Sequence, residues 1–357
     1  MAGNHLAIEL LVELVRSESI SGNELGNVAI YARFAEAAGF VPVVDGRNVW
    51  LTLGSGEGPA LLLNSHLDTV KAGETWRRDP WDGAIEGDRL HGLGANDAKG
   101  SVAAQFAAAV ALKEAGFAGN LVVCASCDEE TGGEGMERIA HLLPRYDSAI
   151  IGEPNDMLVA AAQRGLVKAA IKVPGRRAHA SRPWQGHNAV HAAARVIDRI
   201  ATPDINIPGD MEKPTAQVTM IEGGTQSNVV PDACTLTIDC RTTPFFNNLK
   251  MIDHLRAAAD SEQGQLIIRS NRFAPVHTDH NSAVVLAALE ATGQAEAGVF
   301  PSVCDLFWVS HVPAIVMGPG RPERSHQADE FILCSEVIAG AAGYARAAEA
   351  WWRMVQS

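Results

Sequence analysis

Three acidic residues in a row, Asp128-Glu129-Glu130, form the most highly charged point of this 357-residue chain. They follow the apolar run Leu121 to Ser126, which reads as a buried strand. Adjacent carboxylates at a strand end repel one another unless a cation neutralises them. Neighbouring side chains diverge, so one glutamate can bind a metal while the other faces a reacting water. Taken alone, the run also suits a solvated acidic turn. His66-Leu67-Asp68 follows another apolar run, Ala60 to Ser65, and residues two apart on an extended backbone share a face. A metal-bound imidazole commonly has its second nitrogen held by a carboxylate, and Asp68 behind His66 fits that need. An ordinary polar pair in a loop would look the same.

Asp97 lies in the loop Gly94-Ala95-Asn96-Asp97-Ala98-Lys99-Gly100, which runs into a helix. Glycines permit a tight path there, and a carboxylate projecting from such a loop can bridge two cations. Neither G-x-G-x-x-G nor the P-loop spacing is present, so nucleotide binding is not indicated. Glu153 follows the strand Ser148 to Ile151, and His326 lies in the loop Arg321 to Asp329. Jointly these five occur in the order His, Asp, Glu, Glu, His, all in inferred loops at one edge of one sheet. Two histidines, two terminal carboxylates and one bridging carboxylate give each of two metals one nitrogen and two oxygen ligands, with room for a shared water.

The elements that must position these residues alternate between helix and strand in the first half. Helices are expected over His5 to Arg16, Asn27 to Ala38, Ser101 to Ala115 and Glu134 to Leu143, with strands at Val41 to Val44, Asn48 to Leu53, Ala60 to Ser65, Leu121 to Ser126 and Ser148 to Ile151. Such alternation implies a largely parallel sheet covered by helices, whose chemistry lies in loops at the carboxyl ends of the strands. From Val167 the order becomes βαββαβ, a ferredoxin-like pattern. Its strands are Val167 to Val173, Gln217 to Ile221, Ala233 to Arg241 and Gln265 to Arg269, with helices His187 to Ile200 and Leu249 to Ala259. After Pro275 the α/β texture returns, with the strand Ala314 to Met317 and a terminal helix from Ser335. The expected division is therefore a discontinuous catalytic domain, residues 1–165 and 275–357, interrupted by a small domain over 166–274.

Hydrophobic residues at 47% and charged residues at 20% are the balance of a soluble globular protein. The formal charge of -13 argues against a nucleic-acid partner, which needs clustered Lys and Arg. The N-terminal apolar stretch is broken by Glu9 and Glu13 at helical spacing, so it reads as an amphipathic helix rather than a signal peptide. No apolar run is longer than Phe106 to Leu112, which is too short to span a bilayer. A cytoplasmic protein is expected, with six reduced cysteines. Cys124 and Cys127 form a C-x-x-C, but without a partner pair they are read as buried thiols.

On His66-Leu67-Asp68-Thr69-Val70, the Gly94 to Gly100 loop, Asp128-Glu129-Glu130-Thr131-Gly132-Gly133, Gly152-Glu153-Pro154 and His326 before Asp329-Glu330, the chain resembles the M20 family of metallopeptidases and deacylases over essentially its whole length. The resemblance implies an α/β zinc-exopeptidase-like catalytic domain with a mostly parallel sheet, and a ferredoxin-like α+β insert serving dimerisation. One zinc would be held by His66, Glu153 and bridging Asp97, the other by Glu130, His326 and the same Asp97, with cobalt or manganese as substitutes. Glu129 matches the general base and Asp68 the partner of His66. His179 matches the histidine that reaches across a homodimer interface to the oxyanion. Arg164, Asn228 and Arg241 match residues that hold the substrate carboxylate or complete that site.

The activity so implied is hydrolysis of an N-acyl amino acid, of the N-acetylornithine or N-acetyl-lysine type. A dipeptidase or carboxypeptidase, a succinyl-diaminopimelate desuccinylase and a catalytically silent binding homologue are the alternatives. Lys71 stands where many relatives have proline, and Cys304 where many have threonine.

Overall fold

The computed structural model describes residues 2–132, 134–201 and 213–356. Two compact units result: Met1–Ala162 with Thr278–Phe300 and Cys304–Ser357, and Gln163–His277 with Pro301–Val303. The fold is that of an α/β domain with a largely parallel central sheet, interrupted by a ferredoxin-like α+β unit.

In the first unit the strand order is Val43–Asp45, Asn48–Leu53, Asn120–Ser126, Ala60–His66, Ser148–Ile151, Ala314–Val316 and Ala160–Gln163. The centre, from Asn120–Ser126 across to Ala314–Val316, is parallel. Strands Ala60–His66 and Asn120–Ser126 are buried at every position, which is why they read as continuous apolar runs rather than alternating ones. The flanks depart from the parallel expectation. Asn48–Leu53 runs antiparallel to Asn120–Ser126, and the tight turn at Gly46 (φ 61°) and Arg47 folds it back on Val43–Asp45.

Helix Gly100–Glu114 is buried almost all round between the sheet and its neighbours, so its alanines serve close packing. It shares the core with helices Ala2–Arg16 and Leu25–Ala37 and with the 22-residue terminal helix Cys334–Val355. The helix expected over Glu134 to Leu143 ends at Ile139. Pro144 disfavours helical backbone just before it, and turns fill the gap. Short strands at Ile85–Glu86, Arg89–His91 and Phe331–Leu333 form a small separate sheet. They escaped the sequence reading because two or three residues establish no period.

The second unit has the antiparallel order Thr215–Gly223, Ala233–Thr242, Gly165–Pro174, Gln265–Phe273. Helices Ala189–Ile200 and Asn248–Asp260 bury one face of that sheet around Val196, Leu236 and Leu255. Asn188 caps the first helix by accepting the Val190 and His191 amides.

Among the described residues no helix is long and apolar enough to cross a membrane. All six cysteines lie among the described residues and none is in a disulfide; five of them are buried. Gly133, the last residue of the acidic motif, lies outside the described residues.

Candidate metal centre

Sheet register sets the site. Ser126 lies opposite His66, and Ile151 opposite Asn64, in parallel pairing. His66, the acidic turn after Ser126, and Glu153 therefore leave the sheet at one edge. Gly318, beyond the next strand, packs against this edge: a Cβ there would meet the Glu153 carbonyl oxygen at 2.4 Å. Only glycine lets the chain pass on towards His326.

Asp97 is the hub. Its Oδ1 lies 3.3 Å from His66 Nε2 and its Oδ2 3.6 Å from His326 Nε2. His326 Nε2 is also 2.9 Å from Glu130 Oε1. Donor atoms of His66, Asp97 and Glu130 all fall within 4.8 Å of one another. Ligands bound at about 2.0–2.1 Å to a tetrahedral ion lie roughly 3.3 Å apart, so these spacings suit shared coordination. The buried Glu330 carboxylate holds the Asp97 loop in place, accepting the Asn96 and Asp97 amides at 2.8 and 3.0 Å. The Asp97–Ala98 peptide is cis.

Behind His66, the Asp68 carbonyl oxygen lies 3.1 Å from Nδ1 and the Asp68 carboxylate 3.5 Å from it. The same carboxylate accepts the Glu129 and Glu130 amides, each at 3.1 Å, and the Ser21 hydroxyl at 2.7 Å. One buried aspartate thus fixes both the imidazole and the turn carrying two glutamates.

Electrostatics show how closely the charged groups of the cluster interact. Burial pushes the Glu129 carboxyl well above its usual range, and the nearby Glu153 charge adds to this. Glu153 is raised likewise by burial, against the pull of His66. Its Oε1 is buried and has no hydrogen-bond partner among the described residues. Burial opposes protonation of His66, but the Asp68 and Asp97 carboxylates outweigh it and raise its pKa well above the usual imidazole value. Glu130 draws the pKa of His326 up to about 9. Several carboxylates and two imidazoles close together are a donor set that could hold a divalent cation.

Four predicted site residues belong to the inserted unit. His179 pairs with Val229 in a short two-stranded ribbon, and the Ala180 amide donates to the Asn228 carbonyl at 2.9 Å, so His179 and Asn228 are neighbours. The Ser181 amide donates to Nδ1 of the exposed His179 ring at 3.2 Å, which leaves Nε2 as the ring's donor. Arg241 lies near the strand end where Thr242 pairs with Gly165, beside which Arg164 sits. Arg241 bonds Asp239 at 2.9 Å, and Arg164 donates to the Lys213 carbonyl at 3.2 Å.

A model of peptidase family M20/M25/M40 matches residues 62–350, which spans the whole cluster. The chain belongs to this family. As a member of family M20 it is a metallo-hydrolase, of the peptidase and deacylase kind. It is 31% identical to an acetylornithine deacetylase of Proteus mirabilis, over 91% of either chain. It is 29% identical to a succinyl-diaminopimelate desuccinylase of Xanthomonas oryzae, over 93% of this chain and 95% of the relative. Among solved structures it resembles the YXEP protein of Bacillus subtilis, described as a dinuclear metal binding peptidase of the M20 family. That match has a TM-score of 0.74 at 16% identity and covers 98% of both chains.

Some supporting residues of this M20 site left no sequence signal. Asp305 Oδ2 accepts from Asn64 Nδ2 at 3.0 Å and Ser126 Oγ at 2.9 Å, tying together the two strands that lead to His66 and the acidic turn. Burial lifts its pKa to about 6. Lys99 is fully buried and donates to the Leu14 carbonyl at 3.0 Å, and burial lowers its pKa to about 7. A charged residue in a glycine-rich loop reads as solvated from sequence, and only the fold brings these partners to it.

Proposed function

We propose that the protein hydrolyses the amide bond of an N-acyl amino acid, with Glu129 as general base and acid. The observation that carries this reading is Asp97, whose two oxygens face two different imidazoles, as a carboxylate bridging two cations would. His66, Glu153 and Asp97 would hold one ion, and Glu130, His326 and Asp97 the other. Zinc suits these nitrogen and oxygen donors, which also accept cobalt or manganese. Such ions, when bound, supply Lewis acidity that polarises the acyl carbonyl and lowers the pKa of water.

The chain's own residues do the rest. Among the described residues, none donates a hydrogen bond to the Glu129 carboxylate, so it is free to take a proton from the attacking water. The same carboxyl returns that proton to the departing nitrogen, giving a carboxylic acid and a free amino acid. Asp68 keeps His66 oriented, with Nε2 turned towards Asp97. His179 of the partner subunit donates from Nε2 to the oxyanion, which requires a homodimer built through the insert. Arg164, Asn228 and Arg241 hold the substrate carboxylate or complete that site.

The acetylornithine deacetylase and desuccinylase relatives support an acyl amino acid over a peptide, whereas the YXEP likeness keeps a dipeptide in view. Turnover of N-acetylornithine, N-acetyl-lysine, succinyl-diaminopimelate and dipeptides by the zinc-loaded protein separates these. The expected result is a kcat/KM for one N-acetyl amino acid at least about 10-fold above any dipeptide. A dipeptide preference would replace this reading with a peptidase, and a preference for the succinyl substrate with a desuccinylase.

A further inference from the structure

Against the acidic turn lies a second charged cluster with a different composition. Glu24 is fully buried at the start of helix Leu25–Ala37. Its Oε1 accepts the Gly22 amide at 2.9 Å and the Asp128 amide at 3.3 Å. Its Oε2 accepts from Arg47 Nη1 at 2.5 Å. The Arg47 guanidinium also grips the Asp128 carboxylate at both oxygens, through Nη1 to Oδ1 at 2.9 Å and through Nη2 to Oδ2. Such a two-point fork fixes direction as well as charge.

The donor atoms of Glu24, Cys127 and Asp128 converge closely enough to suggest a cation site. A cationic group is already present, since the Arg47 guanidinium pairs with both carboxylates. Burial pushes the Cys127 thiol up to about 12, so it offers no thiolate. What the cluster does instead is set backbone geometry. Asp128 has φ 55° and ψ 22°, a left-handed conformation that a non-glycine residue adopts only when its surroundings enforce it. The amides of the next two residues then meet the Asp68 carboxylate, and their side chains are the proposed base and a proposed ligand.

Building on the proposed hydrolytic function, we propose that Arg47 is a positioning residue: with Glu24 it locks Asp128 in its left-handed turn and so aims Glu129 and Glu130 into the site. Asp68 holds the turn through the Glu129 and Glu130 amides, and Arg47 holds it through the Asp128 carboxylate. Without the guanidinium, two buried carboxylates face each other unneutralised and the turn is free to relax.

The test is steady-state kinetics on Arg47→Ala and Arg47→Lys, together with calorimetric zinc titration of the metal-free proteins and their melting temperatures. Arg47→Ala is expected to lower kcat about 10- to 100-fold, the range seen when a residue supporting a ligand is lost. KM should stay within about 2-fold, and zinc affinity should fall about 10-fold or more. Guanidinium chloride at low millimolar concentration should restore part of the kcat where sodium chloride does not. Arg47→Lys keeps the charge but not the fork, so it should sit between the two, and it serves as the readout where the alanine variant does not fold. If the wild-type protein cleaves no N-acyl amino acid, the functional reading fails, and the zinc titration still decides the role of Arg47. Unchanged kcat and unchanged zinc affinity in both variants would overturn the proposal. So would a loss of activity matched by an equal loss of folded protein, with no rescue.

Discussion

Replacing Glu129 with alanine is expected to remove turnover almost completely while leaving metal content near two ions per chain. General base catalysis contributes about 10²- to 10⁴-fold. Here one carboxyl serves both proton transfers, so a kcat loss of about 10³-fold or more is expected. Hydrogen bonding separates the roles within the cluster. Asp68 is saturated by two amides and a hydroxyl, and Glu130 faces His326. Glu129 receives no such anchor from the described residues, which suits a group that must change protonation state. Turnover and metal content measured on the same preparation check this, and retained activity in Glu129→Ala would remove it from the mechanism.

Loss of the His179 ring should be nearly as damaging, about 10²- to 10³-fold in kcat, because it deletes a donor to developing negative charge. The Ser181 amide already occupies Nδ1, so the proton available for donation sits on Nε2. If that donor acts across a two-fold dimer, mixing inactive His179→Ala and Glu129→Ala subunits rebuilds one complete site per mixed dimer. Random exchange makes half the dimers mixed, so about one quarter of wild-type activity should return. No recovery after subunit exchange has been verified would mean that His179 does not act in trans.

Much of the candidate site was legible because its parts sit at strand ends. Apolar runs at 60–65, 121–126 and 148–151 marked the strands, and the polar residues just beyond them were His66, Asp128 to Glu130 and Glu153. The βαββαβ order of the insert was equally plain, since long amphipathic elements repeat their period many times. Asp68 apart, what holds the site in place was not legible. Glu330 reaches the Asp97 amide across 233 positions, Asp305 reaches Ser126 across 179, and Arg47 reaches Asp128 across 81. Nothing local distinguishes these residues from solvated surface charges, because their partners are chosen by sheet order and loop path rather than by spacing along the chain. The antiparallel flank escaped for a related reason: a strand's direction depends on where its turn sends it, and Gly46-Arg47 looks like any polar turn.

Calorimetric titration of the metal-free protein with zinc, repeated from pH 6 to pH 9 in buffers of different ionisation enthalpy, tests the dinuclear site most directly. In the metal-free protein Glu130 raises the His326 pKa to about 9, so below that pH a proton must leave before the ring can bind metal. Affinity should therefore be greatest near pH 9 and weaken as pH falls, with at least one proton released per chain at pH 7. The predicted result is two equivalents bound with that pH dependence, both lost together in Asp97→Ala. Binding of a single ion, or two ions whose affinity ignores pH and survives Asp97→Ala, would contradict a site bridged by Asp97.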